Sequence, residues 1–184
     1  MVRWPGVIKP GTESHALISF VDVLPTMMEL GGGEPSTEMD GNSFVNVLRG
    51  KASDHSQYVY GVMTSQGTLM STVFPGRSIR SKQYKYIRNF NALEVVDRKE
   101  EQGEEVHPII RHGAEFWAKT SPTEDELYDI LKDPDEENNL ASDPDYAAVL
   151  KELRNKLQEW MVEQNDFLAK PGFMPIIKCK PLIA

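Results

Sequence analysis

The stretch Arg77-Ser78-Ile79-Arg80-Ser81-Lys82-Gln83-Tyr84-Lys85-Tyr86-Ile87-Arg88-Asn89-Phe90 decides the reading of this chain. Residues 77–80 and 84–90 read as two strands joined across the polar triplet Ser81-Lys82-Gln83. In the second strand Tyr84, Tyr86 and Arg88 point one way, and Lys85, Ile87 and Asn89 the other. Working outward, Gln57 to Val62 is rich in Tyr and Val and reads as a strand before this pair. Glu126 to Ile130 is a strand after it, leading into the turn Asp133-Pro134.

Beyond that turn the period changes from two to 3.6. Asp143 is placed to cap a helix, Pro144 takes its first position, and Asp145 meets the positive end of the dipole. Tyr146, Val149, Leu150, Leu153, Leu157, Trp160 and Met161 form one apolar stripe, with Glu152, Arg154, Lys156, Glu159 and Glu163 off it. Strands followed by an amphipathic helix predict an α+β domain.

The first fifty residues are of another kind. Met1 to Trp4 reads as a short extended run, stopped by turns at Pro5-Gly6 and Lys9-Pro10-Gly11. Phe20 to Leu30 reads as a helix that accommodates Pro25 if Asp22 is its N-cap, with Leu24, Met27 and Met28 on one face. Gly31-Gly32-Gly33 ends it, and Ser43 to Leu48 is a further turn or two of helix. Residues 91–122 are the least regular stretch: a charge run at Lys99 to Glu105, interrupted around by Pro108 and Pro122.

With 184 residues and a net charge of −8, the chain is the size of one domain or two small ones. The charge is uneven: residues 1–90 carry 9 basic and 7 acidic side chains, and residues 91–184 carry 11 and 21. So acidic a second half argues against nucleic-acid binding. No apolar run reaches the roughly 20 residues of a membrane span, and the start lacks the apolar core of a signal peptide. The single cysteine, Cys179, excludes an internal disulfide framework. His107 and His112 do not have the i, i+4 spacing of a helical metal pair. Arg77, Arg80, Lys82, Lys85 and Arg88 make the central hairpin basic. Edge-strand protection with ion pairs to the acidic half accounts for this better than an anion-binding face.

A self-contained active site is not visible. The nucleophile elbow, the phosphate loops and H-E-x-x-H are all missing. The carboxylates between Asp133 and Glu137 surround a turn beside Asn138-Asn139, and Asp22 is accounted for as a cap.

Five strings, taken in order, carry a family resemblance. Val2-Arg3-Trp4-Pro5-Gly6, Val21-Asp22-Val23-Leu24-Pro25-Thr26 and Asp40-Gly41-Asn42-Ser43-Phe44 come first. Then come Ile79-Arg80-Ser81-Lys82-Gln83-Tyr84-Lys85-Tyr86-Ile87, and Glu126-Leu127-Tyr128-Asp129 with Asp133-Pro134, Glu136 and Asn138-Asn139-Leu140-Ala141. Together they resemble the C-terminal portion of type I, formylglycine-dependent sulfatases. Within that family the chain looks most like the sulfamidase (heparan N-sulfatase) branch. Met70-Ser71 leading to Pro75, Arg77 and Ser78, the long connection from Asn89-Phe90 to Glu126, and the ending Trp160, Glu163, Asn165-Asp166 are similar. The partner that the branch gives Cys179 is missing, which implies a free thiol. Cys179-Lys180-Pro181 has Ile183 where the formylglycine motif needs Arg, and it is a chance match.

The resemblance implies a four-stranded antiparallel sheet packed on the long C-terminal helix, preceded by an edge strand and a helix left from an alkaline-phosphatase-like α/β domain. Residues 1–52 would be the remnant of that catalytic domain, 53–166 the C-terminal subdomain and 167–184 an extended tail. Calcium and the formylglycine are expected in a preceding N-terminal part, with no catalytic or metal residue in this chain. The implied partners are the catalytic domain of the same enzyme and a sulfated saccharide, with no nucleic acid and no membrane. For the full-length enzyme a periplasmic, lysosomal or secreted location is implied. Ser65, Gln66 and Arg77 are the candidates for the substrate-binding rim, because Arg77 can grip a sulfate or uronate with two bonds. An ion pair within the hairpin explains Arg77 equally well. A stand-alone module that binds sulfated glycans or mediates assembly is the alternative function, and a hydrolase with an unrecognised site is a more remote one.

Overall fold

The computed structural model describes residues 1–63, 75–90, 96–97, 100–103, 105–120 and 123–170. Four strands form one antiparallel sheet in the order β1 (Val59–Met63), β2 (Gly76–Arg80), β3 (Tyr84–Asn89) and β4 (Asp125–Asp129). β3 and β4 pair with Tyr86 opposite Leu127 and Arg88 opposite Asp125. The alternation along β3 is realised, with Tyr86 and Asn89 buried on opposite faces. The hairpin strands β2 and β3 are central, so edge protection does not explain their cations. Ion pairs do: Lys85 binds Glu136, and Arg88 binds Glu124 and Asp125.

Before the C-terminal helix come α1 (Val23–Leu30), α2 (Val45–Leu48) and α3 (Pro108–Thr120). The last, α4, spans Ala147–Glu163 and is continued backward by a 3₁₀ turn, Pro144–Tyr146. Asp143 caps that turn by accepting the Asp145 N–H at 2.9 Å. The stripe places Leu153, Leu157 and Met161 in the core with Ile79, Tyr86 and Leu127. Helix α4 packs against β3, and Arg154 reaches from it to Asp125 at 2.6 Å.

The chain divides into two compact units, one of residues 1–60 with 80–83, the other of 61–79 with 84 onward. In the first unit, two Pro-Gly turns of type II follow each other. Val7 N–H donates to the Trp4 carbonyl and Thr12 N–H to the Lys9 carbonyl, with Gly6 and Gly11 at φ 81° and 77°. Residues 1–4, expected as an edge strand, form none, because an extended segment with no neighbouring strand has nothing to bond its backbone. Asp22 does precede α1, but its side chain caps elsewhere. One oxygen accepts the Ser19 N–H (2.8 Å) and the other the Asn42 N–H (2.9 Å), while Thr26 Oγ1 accepts the Phe44 N–H (3.0 Å). Helix α1 is therefore stitched to the Asp40-Gly41-Asn42-Ser43-Phe44 turn through its polar side. Leu24 and Met27 of α1 face outward, 59% and 61% exposed, and so does Phe20 in the 3₁₀ turn before it, at 95%.

Two segments of the second unit differ from expectation. Helix α3 runs through what reads as irregular sequence. Pro108 begins the helix rather than breaking it, His107 Nδ1 accepts the Ile109 N–H, and Arg111 pairs with Glu115 one turn on. Phe167–Ala169, expected as the start of an extended tail, form a 3₁₀ turn with Leu168 buried. Cys179 and residues 171–184 lie outside the described residues.

Candidate functional site

Arg77 lies on the central strand β2 with only 2% of its surface exposed. Its Nε donates to Asp166 Oδ2 at 2.5 Å and its Nη2 to Oδ1 at 3.1 Å, the two-bond geometry that guanidinium and carboxylate share. Nη1 donates to the carbonyls of Met63 (3.1 Å) and Gly76 (3.0 Å). The Phe167 ring covers the guanidinium, with 5.8 Å between Cζ and the ring centre.

Asp166 reaches this position through the end of α4. Asn165 takes a left-handed conformation (φ 52°), and the Asp166 N–H donates to the Met161 carbonyl at 2.8 Å. The chain turns back under β2, and Asp166 Oδ1 also accepts the Leu168 N–H at 3.0 Å. Burial pushes the Asp166 carboxyl up; bonds from Arg77 and the Leu168 amide outweigh this and hold it below the usual carboxylate value.

Of the three rim candidates, Ser65 and Gln66 lie outside the described residues. Arg77 is paired, not within its hairpin but to a carboxylate 89 positions away. Asp166 is the member of this cluster that sequence reasoning missed. Its one signal was the Asn165-Asp166 pair just past the apolar stripe of the helix.

A second charged cluster lies between sheet and helix. Tyr86 OH donates to Asp125 Oδ1 (2.5 Å), which also receives Arg88 at 3.3 Å, while Arg154 takes Oδ2. Burial, then the bond to Asp125, pushes the Tyr86 phenol up to about 12. The carboxylates after β4 do turn work. Asp133 accepts the N–H groups of Glu137 and Asn138, and Glu136 holds Lys85. Among the described residues, no three His, Cys, Asp or Glu side chains group as ligands for a cation. That set of described residues does not fit a resident calcium.

Four antiparallel strands packed on one long helix, with charges joining them, define a small α+β domain. The chain belongs to the family described as N-sulphoglucosamine sulphohydrolase, C-terminal, which matches residues 1–120. It is 48% identical over 181 residues to an ulvan-active sulfatase of Formosa agariphila, covering 98% of this chain and 36% of that protein. It is 26% identical to the human N-sulphoglucosamine sulphohydrolase, covering 89% of this chain and 38% of the enzyme. Among solved structures, BT4656 in complex with its substrate D-glucosamine-2-N,6-O-disulfate superposes with a TM-score of 0.65. Identity there is 25%, over 89% of this chain and 28% of that one. BT1596, a 2-O GAG sulfatase, gives 0.57 at 28% identity, over 80% and 25%. The chain thus spans roughly a quarter to two fifths of these relatives' length.

Proposed function

We propose that this chain is the supporting C-terminal part of a sulfatase that hydrolyses sulfate esters or N-sulfates of a sulfated polysaccharide, and that it borders the substrate pocket without supplying the reacting groups. The observation that carries the proposal is the outward apolar side of α1. Leu24 and Met27 stand exposed on a helix whose polar side is tied to its own unit, and Phe20 stands exposed in the 3₁₀ turn before it. In a segment that matches 36% of a sulfatase, such a face suits burial against the preceding polypeptide. In this reading residues 1–52 belong with the α/β domain, 53–166 form the subdomain, and Ser65 and Gln66 contribute to the rim. Calcium and the formylglycine belong to the preceding polypeptide. Sulfate hydrolysis needs cationic groups converging on a developing anion, and the Arg77 guanidinium is already bonded to Asp166.

The test is a graft. This chain replaces the matching C-terminal part of the Formosa agariphila sulfatase, and sulfate release from ulvan and from N-sulfated glucosamine saccharides is measured. Turnover of either supports the proposal and distinguishes the substrate class. A folded but inactive graft, together with salt-sensitive binding of sulfated glycan by the isolated chain, overturns it in favour of a stand-alone binding module.

A further inference from the structure

The first unit holds a buried pair of titratable side chains. His55 Nε2 lies 3.3 Å from Asp22 Oδ2, with 9% and 5% of the two side chains exposed. Asp22 Oδ2 also accepts the Ser19 N–H and Oδ1 the Asn42 N–H. His55 belongs to the segment before β1, where the Ser56 N–H donates to the Leu17 carbonyl at 3.3 Å. The Phe44 ring meets the imidazole edge-on, with 6.0 Å between ring centres. Three stretches of chain, 17–22, 42–44 and 55–56, therefore meet around one carboxylate.

Although Nε2 is at ion-pair distance, it makes no hydrogen bond to Asp22 or to any other described residue. What draws the ring to the carboxylate is therefore charge, which an imidazole has only when protonated. We infer that His55 and Asp22 form a proton-dependent clasp: the imidazolium ties the segment before β1 to the start of α1 and to the 40–44 turn, and the neutral ring lets it go. With the proton on, two opposite charges share one desolvated site. Once the proton has left to water, Asp22 keeps an uncompensated buried charge and Nε2 is a buried polar atom without a partner. The clasp is closed at low pH and opens as pH rises.

The other charges around it do not duplicate this behaviour. Asp22 is the one charged group paired with His55 among the described residues. On its own segment the next carboxylate is Asp54, which Lys82 engages and holds below the usual carboxylate value, so it stays ionised wherever an imidazole titrates. Helix α1 adds only Glu29, at its far end, and the 40–44 turn adds only Asp40, which is exposed. The stretch leading to Leu17 carries His15, the other imidazole of this unit.

Amide hydrogen exchange across the imidazole range is the test. Protection of the Ser19, Asn42 and Ser56 amides, corrected for the intrinsic rate, falls by about fivefold or more between about pH 5.5 and about pH 8, with Tyr86 and Leu127 of the second unit unchanged. His55→Phe keeps a ring against Phe44 without the charge, so the three amides show the same low protection at both pH values. His55→Gln gives the same result with a polar side chain and serves if the Phe variant does not fold. Equal protection of the unaltered chain at both pH values, or protection that rises with pH, overturns the clasp. So does a pH dependence that persists in His55→Phe or His55→Gln, which assigns it to His15.

Discussion

Asn139 completes the outer edge of the sheet by accepting the Leu127 backbone N–H on its side-chain oxygen at 3.0 Å. The same oxygen accepts the Ala141 N–H at 3.0 Å. Its amide nitrogen donates to Thr123 Oγ1 and the Asp125 carbonyl, while the Leu140 N–H donates to the Leu127 carbonyl. An edge strand that would offer its backbone groups to another chain is covered by one side chain and its neighbour. The Asn-Leu-Ala string after the turn thereby has a mechanical meaning: it is the cover strip of β4.

Asn139→Ala removes both roles at once and leaves the Leu127 N–H without its acceptor. The expected loss is about 1–2 kcal/mol, since each such bond contributes roughly 0.5–1.5 kcal/mol. Urea denaturation measures it, and amide exchange at Leu127 localises it. Asn139→Asp keeps the oxygen and loses only the donor, so it costs less.

Gly41 permits a close approach of two backbones in the first unit. A Cβ there collides with the carbonyl group of Val21 and crowds the Asp22 nitrogen, neither of which can swing aside. Gly41→Ala therefore separates the 40–44 turn from α1 and breaks the bond between the Asn42 N–H and Asp22. A destabilisation of about 1–3 kcal/mol is expected, read as a lower thermal midpoint of that unit.

The sheet and the C-terminal helix were legible because their signals are local and periodic: alternation around Tyr84–Asn89, and an unbroken stripe from Tyr146 to Met161. Helix α3 was not, because Pro108 at a helix start and Pro108 as a breaker look alike in sequence. The Arg77–Asp166 pair was hidden for a different reason. Both residue types were visible, but which carboxylate meets which cation across 89 positions depends on how α4 lies on the sheet. Asp22 was half legible. Its place beside α1 could be read, but its bond to Asn42 twenty residues on required the fold.

Tyr86 and Asp166 give opposite pH signatures. The Tyr86 phenol titrates at about 12 in the folded chain, above the ordinary value of about 10. Its protonated form is thus favoured by folding, and that contribution, on the order of 2 kcal/mol, is present below pH 10 and lost as pH rises from 10 toward 12. Asp166 is depressed, so its contribution is present above about pH 3.9 and lost as pH falls through its lower folded value. Stability measured by denaturant against pH should fall at both ends. Tyr86→Phe makes only the alkaline limb shallower, because the Tyr128 phenol is pushed up as well, and Asp166→Asn only the acidic one, which Asp54 shares.

The outward side of α1 makes the last expectation. Leu24 and Met27 stand in solvent while Pro25 and Thr26, between them in sequence, are buried. Exchanging both exposed residues for Gln removes apolar surface from water without opening a cavity, so the isolated chain should keep its thermal midpoint within about 1 °C while associating less at high concentration. In the graft the same two changes place amides in a face meant to be buried, where each unpaired polar group costs roughly 1–3 kcal/mol. The double variant should therefore lower the stability of the grafted enzyme by about 2 kcal/mol or more. Equal stability of the two grafts, measured by thermal inactivation, would mean that α1 faces solvent there too and that the apolar side has no partner in the preceding polypeptide.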